Sequence, residues 1–412
     1  MDIKNCIMVC DSAAHSGGVS AVMLQQASGL RAAGIRVYVF AAFGPADPAL
    51  AHEADGVVCM LAAPPRRSRL AEVWNRAAAL ALQQFLGGFS AADTVVHIHA
   101  LSMGLSPSIG QALRAEKIPY VITAHDAGWA CPTGYFYHFG KAAPCALEPL
   151  SLACLGSACD KRSYLHKLYK VAKMVTLDHI SHLKRDAAAV IVPSALLHQR
   201  LRSRVPAATP VITLLNPVNA VDLGPRDHSG SRFLFVGRIW EEKGILELLQ
   251  TLGAHFPLTV VGDGPRRAEL ALRYPQVRFL GWLSPQQVAQ EMRDALAVIL
   301  PSICLEAFGL VVPEALALGV PVVVSDRAGA ACLVEPGVNG FVVDMGHPRQ
   351  LLDICTALMD ARRAASMSRQ AYLSYWRSPL STGVYTAGLL DIYRAMGQAA
   401  DVPARLSVPV SA

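Results

Sequence analysis

The stretch "SRFLFVGRIWEEKGILELLQTLGAHFPLTVVGDG" (residues 231–264) contains a complete strand–helix–strand unit. Two short apolar segments, FLFV and LTVV, each end at a glycine, and leucines recur at helical spacing between them. Short buried strands that are joined through helices are typical of a parallel sheet with helices on both faces. This stretch therefore predicts a doubly wound α/β domain.

The same alternation runs through the rest of the chain. In the N-terminal half, the other predicted strands are NCIMVCD (5–11), IRVYVFA (35–41), ADTVVHIHA (92–100), PYVITAHD (119–126) and AAAVIVPS (187–194). In the C-terminal half, they are VRFLGWL (277–283), LAVILPS (296–302), VPVVVSD (320–326) and GFVVDMG (340–346). We therefore expect an α/β protein with two parallel sheets.

A chain of 412 residues is long enough for two such domains. Residues 213–231 are rich in Gly, Pro, Asn and Asp and lack a periodic pattern, so they mark the join. We predict an N-terminal domain over 1–215, a C-terminal domain over 216–380 and a tail over 401–412. Ligands of such sheets bind beyond the carboxyl ends of the strands, so we expect a cleft between the two domains.

The composition, with 53% hydrophobic and 17% charged residues, argues for large buried cores and against disorder. The net charge of +6 suits an anionic substrate or an anionic membrane surface and is a weak argument for nucleic acid. The sequence has no run of 18 apolar residues and no recognisable signal peptide, so we expect a cytoplasmic protein without a spanning helix. Its ten cysteines should then be reduced.

Two cations lie in the loop after the strand FLFV. Arg238 follows the strand directly, and Lys243 precedes the next helix. Two cations beside a helix N-terminus can bind the phosphates of a polyanionic ligand. The alternative is a solvated loop in which Glu241 and Glu242 offset both charges. The residues alone leave both interpretations open.

Glycine pairs follow two strands. Gly262 and Gly264 form half of a dinucleotide-binding fingerprint, but Arg267 stands where the third glycine would be, which disfavours a hydride-transfer enzyme. Gly17 and Gly18 leave backbone N–H groups accessible at the start of the first helix, where a phosphate could bind. A tight turn is the alternative for both pairs, and for the second pair it is the commoner explanation.

His125 and Asp126 end the strand PYVIT at the edge that should face the cleft. His125 could donate a hydrogen bond to a sugar hydroxyl or stabilise developing charge. The alternative is a histidine that caps an element or lies in the core.

Two glutamates interrupt the apolar stretch "ICLEAFGLVVPEALALG" (303–319). Glu314 lies in the first turn of a predicted helix, where the helix dipole favours a carboxylate, and its oxygens could accept hydrogen bonds from a vicinal diol such as ribose. Glu306 lies on the preceding loop and could reach another part of the same ligand. The alternatives are a capping role for Glu314 and an exposed loop position for Glu306.

Two common phosphate-binding devices are missing from the sequence. No Asp-x-Asp pair occurs for Mg²⁺ or Mn²⁺, and GYFYHFGKA (134–142) departs from a Walker A motif in both spacing and final residue. Arginine, lysine and backbone N–H groups must then balance the phosphate charge.

A resemblance to the retaining glycosyltransferases of family 4 rests on seven segments taken in order: SGGV, TAHD, VGRIWEEKG, VVGDGP, FLGWL, LPSICLEAFGLVVPEALALGVPVV and EPGVNGFVV. It covers about residues 5–395 and is most specific in the Glu-x7-Glu element. It implies the GT-B fold, with two facing Rossmann-like domains and a nucleotide-sugar donor mainly on the C-terminal one. It also implies sugar transfer with retained anomeric configuration, usually without a metal ion.

The resemblance assigns four catalytic residues: His125, Glu306, Arg238 and Lys243. Arg238 and Lys243 correspond to the clamp on the leaving pyrophosphate, Glu306 to the contact with the transferred sugar, and His125 to the histidine that faces that sugar. Glu314 corresponds to the ribose ligand. Further donor contacts are predicted at Gly17, Gly18, Asp126, Gly262, Gly264, Phe308, Gly309 and Leu310. A final helix within 381–400 is expected to cross back onto the first domain.

The segment 130–163 interrupts the α/β alternation and carries Cys131, Cys145, Cys154 and Cys159. Four thiolates could hold a tetrahedral structural zinc ion. The spacing lacks a paired Cys-x2-Cys, so four buried thiols or redox pairs are an equal alternative. Because the segment directly follows the predicted catalytic histidine, we expect it to shape the acceptor side of the site.

Residues 160–190 have a net charge of +4, and lysines recur every third residue among leucines and valines at 165–175. Such a basic amphipathic helix could dock on an anionic membrane, although a solvated face is the commoner cause. Membrane contact would suit a lipid-linked acceptor, which many relatives use.

The resemblance implies a glycosyltransferase that takes a sugar from a UDP- or GDP-linked donor. The acceptor would be a growing glycan, such as a lipid-linked precursor of a bacterial surface or exopolysaccharide, and no metal would be needed for catalysis. Two alternatives stay open. One is a catalytically inactive nucleotide-sugar-binding partner in an assembly complex, and the other is a sugar-nucleotide epimerase of similar fold.

Overall fold

The computed structural model describes residues 2–14, 17–62, 72–101, 103–226 and 230–396. The chain forms two compact units and passes from the first to the second after Pro217. It returns to the first unit at Thr382. The predicted tail over 401–412 lies outside the described residues.

The first unit is built on a sheet of seven parallel strands, with a separate two-stranded antiparallel pair. Its strands are β1 (Asn5–Ser12), β2 (Arg36–Phe43), β3 (Gly56–Leu61), β4 (Thr94–Ile98), β5 (Tyr120–Thr123), β6 (Tyr137–His138), β7 (Ala143–Pro144), β8 (Ala189–Val192) and β9 (Val211–Thr213). The order in the sheet is β3-β2-β1-β4-β5-β8-β9, and β6 pairs with β7.

Helices connect these strands. They are α1 (Gly18–Ala32), α2 (Pro48–Glu53), α3 (Arg76–Leu86), α4 (Ile109–Glu116), α5 (Leu152–Gly156), α6 (Tyr164–Val175), α7 (Leu183–Asp186) and α8 (Ala195–Arg202). Asn75, Ser163 and Ser194 cap α3, α6 and α8, because each side chain accepts a hydrogen bond from a backbone N–H of the first turn.

The second unit has a sheet of six parallel strands in the order β12-β11-β10-β13-β14-β15. Its strands are β10 (Arg232–Val236), β11 (Leu258–Val261), β12 (Arg278–Gly281), β13 (Ala295–Leu300), β14 (Val322–Ser325) and β15 (Gly340–Val343). Its helices are α9 (Ile245–Leu252), α10 (Arg267–Arg273), α11 (Pro285–Arg293), α12 (Val311–Ala317), α13 (Pro348–Leu358) and α14 (Ala361–Arg377).

The last described helix, α15 (Thr382–Ala395), belongs to the first unit and packs against α1. Gly29 of α1 allows this close approach, because a Cβ atom there would lie 2.0 Å from Oγ1 of Thr386. Tyr393 of α15 is fully buried in this unit.

Both sheets have the strand order of a Rossmann domain, in which the first strand pairs with the second on one side and the fourth on the other. The direction in which successive strands are added to the sheet reverses between β1 and β4 in the first unit and between β10 and β13 in the second. Ligands of doubly wound sheets bind beyond the carboxyl ends of the strands at such a switch point. The loops after these four strands are therefore where each unit would hold a ligand.

Every strand predicted from the sequence corresponds to a strand of the structure, but β3, β9 and the two-residue strands β6 and β7 were not predicted. Most side chains of β3 are half-buried and two are exposed, since it is an edge strand, so it lacks the fully apolar pattern of the central strands. β9 has only three residues and begins just before the predicted join.

Candidate active site

In the second unit, Lys243 and Glu306 form an ion pair although 63 residues separate them in the chain. Lys243 lies on the loop after β10, and Glu306 lies on the loop after β13. These two strands are neighbours at the switch point of the sheet. Sheet topology thus brings together two residues that the sequence analysis selected separately.

Backbone contacts hold these two loops against each other. The carbonyl of Glu242 accepts hydrogen bonds from the N–H groups of Ile303 and Cys304, both at 3.2 Å. Gly244 has a φ of 72°, and a Cβ atom there would lie 1.8 Å from the carbonyl oxygen of Pro301. A glycine is therefore required directly after Lys243, which fixes where the lysine side chain starts.

Glu306 is charged at neutral pH. Burial disfavours its ionised form, but the attraction of Lys243 and a hydrogen bond from Oγ of Ser302 outweigh that effect and lower its pKa below the ordinary value. The site therefore has a fixed carboxylate on the loop after β13. Ser302 is a site residue that the sequence analysis missed.

Arg238 lies close enough to Glu306 to help to lower the pKa of that carboxyl group. Its side chain is exposed, and no ion pair or hydrogen bond of its guanidinium is found in the described ranges. Of the two predicted cations, Lys243 is thus paired within the protein, and Arg238 is available to an anionic ligand. The predicted offsetting by Glu241 does not occur, because that residue pairs with Arg266.

Glu314 lies in α12 and is half-buried. Burial raises the pKa of its carboxyl group to about 7. The part of the chain that the structure describes offers this carboxyl group neither a cation nor a hydrogen-bond donor. Hydrogen-bond donors of a ligand would offset the effect of burial on the ionised form, which fits the predicted contact with a diol.

The backbone between the two glutamates is tightly held. Phe308 is buried, and its carbonyl accepts a hydrogen bond of 2.7 Å from the N–H of Ala330. Gly309 has a φ of 98°, and a Cβ atom there would come within 2.6 Å of Leu300. Leu310 directly precedes α12. These backbone contacts do not test the predicted contacts of Phe308, Gly309 and Leu310 with the sugar donor, which stay predictions.

Gly262 and Gly264 allow the loop after β11 to pack against the loop after β10. A Cβ atom at Gly262 would lie 1.9 Å from the carbonyl oxygen of Gly237, and one at Gly264 would lie 2.2 Å from that of Ile239. This close backbone approach accounts for both glycines without a ligand. Their predicted contact with the donor stays a prediction.

In the first unit, three histidines form a row of nearly parallel rings. His97 lies on β4, His99 directly follows β4, and His125 follows the neighbouring strand β5. The ring centroids of His97 and His99 are 4.4 Å apart, and those of His99 and His125 are 5.1 Å apart. Nδ1 of His99 lies 2.8 Å from Nε2 of His125. The predicted catalytic histidine is therefore held by a neighbour that the sequence analysis missed.

The sequence signal for this row was the His-x-His pattern of "VVHIHA", because residues two apart in an extended segment lie on the same face. His97 is anchored by Tyr393 of α15, whose hydroxyl lies 2.6 Å from its Nδ1, and by Thr123, whose Oγ1 lies 2.6 Å from its Nε2. The row thus connects the end of β5 to the last helix of the unit.

Asp126, next to His125, caps a short 3-10 turn, because its Oδ1 accepts a hydrogen bond of 2.7 Å from the N–H of Gly128. A structural role therefore accounts for this residue, and its predicted donor contact stays a prediction. Gly17 and Gly18 are exposed at the N-terminus of α1, and Gly17 has a φ of 112°. Their predicted contact with phosphate is likewise untested.

The four cysteines of segment 130–163 line one small cavity together with Lys167. All four are free thiols, and three of them are buried. Among the residues described, no group of three or more His, Cys, Asp or Glu side chains is arranged to hold a metal ion. A structural zinc ion at these four cysteines, one of the two alternatives, stays a prediction. The ammonium group of Lys167 lies among the thiols and donates hydrogen bonds to the carbonyls of Cys154 and Ser157.

The expected basic face of α6 is not formed. Lys167 is fully buried, and Lys170 pairs with Asp160 at 2.7 Å. The side chains that α6 exposes are apolar, with Leu165 at 73% and Leu168 at 38% exposure. Lys167 and Lys170 turn inward because the cysteine-rich segment supplies carbonyl and carboxylate acceptors there. None of the helices within the described ranges is long and apolar enough to cross a membrane.

Two family models match the chain. The model described as "Glycosyltransferase Family 4" matches residues 16–221, which is half of the chain. The model described as "Glycosyl transferases group 1" matches residues 230–361. The two matches fall on the first and second units of the structure.

Among curated proteins, the chain is 32% identical over 213 residues to a lipopolysaccharide 1,2-N-acetylglucosaminetransferase of Salmonella typhimurium, covering 44% of this chain and 56% of the relative. It is 34% identical over 140 residues to a phosphatidyl-myo-inositol mannosyltransferase of Mycobacterium leprae, covering 32% of this chain and 37% of the relative. The chain thus spans about half or less of the length of these relatives.

Among solved structures, the chain resembles the HepE protein of Anabaena in complex with UDP-glucose. The TM-score is 0.68, the sequence identity is 20%, and the alignment covers 95% of this chain and 99% of that one. At a sequence identity of 20%, this similarity shows a shared fold and no more.

Proposed function

The chain belongs to glycosyltransferase family 4 and has the GT-B fold that its sequence predicted, and on that premise we propose that it transfers a sugar from a nucleotide diphosphate sugar to a growing glycan with retained anomeric configuration. The observation that carries this proposal is the Lys243–Glu306 ion pair beside the exposed Arg238. These groups lie beyond the carboxyl ends of the two strands that flank the switch point, where doubly wound sheets bind ligands.

Arg238 and Lys243 would bind the pyrophosphate. When the bond between the sugar and the phosphate breaks, negative charge develops on the leaving nucleotide diphosphate, and fixed cations stabilise that charge more than they stabilise the ground state. Lys243 already pairs with Glu306, so its ammonium group is oriented before the donor binds. Charge stabilisation by these two cations would let transfer proceed without a divalent metal.

Glu306 would contact the transferred sugar. Its carboxylate is ionised and half-buried, and Lys243 and Ser302 hold one of its oxygens, Oε2. The other oxygen can accept hydrogen bonds from sugar hydroxyls, and the negative charge lies where it could stabilise positive charge at the transferred carbon. The contact that the sequence predicted between His125 and the same sugar is part of this proposal.

Glu314 would bind the ribose. A vicinal diol offers two donors to a carboxylate that finds none among the described residues, and such hydrogen bonds favour the ionised form. Nucleotide binding should therefore lower the pKa of Glu314 from about 7. A UDP- or GDP-linked donor is proposed, and the complex of HepE with UDP-glucose supports the former.

The acceptor is proposed to be a lipid-linked glycan reached at the membrane surface. The support is the exposed apolar side of α6, together with Leu152 of α5, which is 89% exposed. Exposed apolar patches beside cations suit the interface of an anionic bilayer, and the exposed Lys161 and Arg162 lie just before α6. The protein would then be cytoplasmic and bound peripherally to the membrane.

A donor screen followed by a transfer assay tests the proposal. A nucleotide sugar that binds the folded protein raises its melting temperature by mass action, so the true donor should stand out among UDP-, GDP- and ADP-sugars. The selected donor is then incubated with lipid-linked acceptors, and the anomeric configuration of the product is read by NMR. Donor binding without transfer to any acceptor, or isomerisation of the donor alone, would contradict the proposed reaction.

A further inference from the structure

His99 occupies a position from which it can control the catalytic histidine proposed above. It directly follows β4, is 1% exposed, and lies between the rings of His97 and His125. Its ring is nearly parallel to both neighbours, with interplanar angles of 12° and 19°. Because it is buried between two rings, it has little freedom to rotate.

A single proton lies in the hydrogen bond between His99 and His125. Burial lowers the pKa of His99 well below its ordinary value and that of His125 to about 4, so both rings are neutral at neutral pH. A neutral imidazole carries one proton on either Nδ1 or Nε2. With Nδ1 of His99 only 2.8 Å from Nε2 of His125, one of these two nitrogens donates and the other accepts.

The surroundings of His99 decide which nitrogen donates. Its Nε2 is buried and finds no hydrogen-bond partner in the described residues. If His125 donated, the proton of His99 would lie on Nε2 as a buried N–H group without an acceptor. If His99 donates, Nε2 carries only an unused lone pair, and buried acceptors are left unpaired more readily than buried donors. The second arrangement is therefore favoured.

We propose that His99 is a positioning residue whose Nδ1–H donates to Nε2 of His125 and thereby holds His125 as the tautomer protonated at Nδ1. His125 then presents a neutral N–H donor at Nδ1 to a ligand. Its ring is half-buried, and no hydrogen bond from Nδ1 is found within the described ranges, so this donor is available. The assignment of the tautomer stands by itself, whereas its use on a sugar rests on the proposed function.

The row continues behind His99 in a way that supports this arrangement. His97 is fully buried, stacks on a face of the His99 ring, and has hydrogen-bond partners at both of its nitrogens. Neither nitrogen of His97 is therefore free to serve Nε2 of His99. The hydrogen bond to His125 is the one polar contact that the described residues offer to the His99 side chain.

NMR of the full chain labelled with ¹⁵N-histidine tests the tautomer directly. Long-range ¹H–¹⁵N correlations at neutral pH distinguish the two neutral forms, and His125→Asn identifies the signals of His125 by their loss. We expect His125 to be protonated at Nδ1 in the wild type. In His99→Leu, which removes the donor but keeps an apolar side chain of similar size, His125 should become protonated mainly at Nε2. In His99→Asn, whose amide nitrogen lies near the position of Nδ1, the wild-type form should persist.

The same variants are then compared in the transfer assay. His99→Leu should lower kcat by roughly 10- to 100-fold with a smaller change in donor KM, and His99→Asn should recover most of the loss. Protonation of His125 at Nε2 in the wild type, or the same tautomer in His99→Leu as in the wild type, overturns the proposal. The wild-type spectrum tests the assigned tautomer of His125 even if His99→Leu does not fold. If the tautomers are as expected but His99→Leu and His125→Asn transfer sugar as fast as the wild type, His99 still positions His125. His125 then has no part in the proposed reaction.

Discussion

Oγ of Ser302 lies 3.3 Å from Oε2 of Glu306, the same carboxylate oxygen that accepts from the ammonium group of Lys243. One oxygen of Glu306 is thus held by two donors from two loops, and Oε1 is left for a ligand. The arrangement orients the carboxylate before any nucleotide-sugar donor binds, which reduces the reorganisation needed in the transition state.

Replacing Glu306 by Gln should lower kcat for transfer by at least about 100-fold, because the charge that faces the transferred sugar is lost while the shape is kept. Steady-state kinetics with the identified donor measure the effect. Glu241→Gln is the matched control, since Glu241 is an exposed glutamate of the neighbouring loop that pairs with Arg266 instead. Equal turnover in both variants would remove Glu306 from the reaction.

Replacing Arg238 by Ala should weaken donor binding and lower kcat/KM by roughly 10- to 1000-fold, because an exposed cation beside the site is lost. Arg349→Ala, which removes another exposed arginine of the second unit, should leave both values near those of the wild type. Calorimetry with the nucleotide diphosphate separates binding from turnover. An unchanged affinity in the Arg238 variant contradicts a pyrophosphate contact.

Glu314 should make the second unit less stable as pH rises. Its folded pKa of about 7 lies above the ordinary 4.5, so the folded protein binds more protons between these values and the free energy of unfolding falls with pH across that window. Glu314→Gln removes the carboxyl group and with it this loss. The free energy of unfolding of the variant, relative to that of the wild type, should therefore rise by about 2 to 3 kcal/mol from pH 5 to pH 8.

Urea unfolding of both proteins at the two pH values measures this difference. A constant difference between wild type and Glu314→Gln across the window would mean that the pKa of Glu314 is not raised. With nucleotide bound, the pH dependence of the wild type should shrink, because a diol would stabilise the carboxylate.

Replacing Gly262 by Ala should destabilise the second unit by several kcal/mol. A Cβ atom at this position meets the carbonyl oxygen of Gly237 at 1.9 Å, and the backbone has a φ of 131°. Gly337→Ala is the control for backbone strain alone, since Gly337 has a φ of 80° with nothing within 4 Å of a Cβ atom, and should cost about 1 kcal/mol. Thermal unfolding of the two variants measures the difference, and equal losses would contradict the close packing of the two loops.

Replacing both Leu165 and Leu168 by Glu should reduce binding of the protein to vesicles of phosphatidylglycerol, because both side chains are exposed on α6 and charges resist insertion at the interface. Co-sedimentation measures the bound fraction. Leu272→Glu, a leucine of the second unit that is 85% exposed, should leave binding unchanged. If the α6 variant binds vesicles as the wild type does, the proposed membrane surface is wrong.

Some parts of the site could be found from sequence because their signals are local. Arg238, Lys243, Glu306 and Glu314 were selected from strand ends, glycines and charges in apolar runs, and each lies beyond a strand of the second sheet or in the helix that follows it. Other parts depend on neighbours far away in the chain. The inward direction of Lys167 and Lys170 in α6 follows from acceptors in the preceding cysteine-rich segment, and no periodicity within the helix could reveal these acceptors.

The sequence by itself determined the two α/β units and the parallel sheets, because apolar runs, helical spacing and glycine stops act within a few residues of each other. Only the tertiary structure decided which strand ends are neighbours. The pairing of β10 with β13, and of β4 with β5, brings Lys243 to Glu306 and His99 to His125. Strand order is set by the burial of whole faces of a sheet, which is a property of long-range packing that local patterns do not contain.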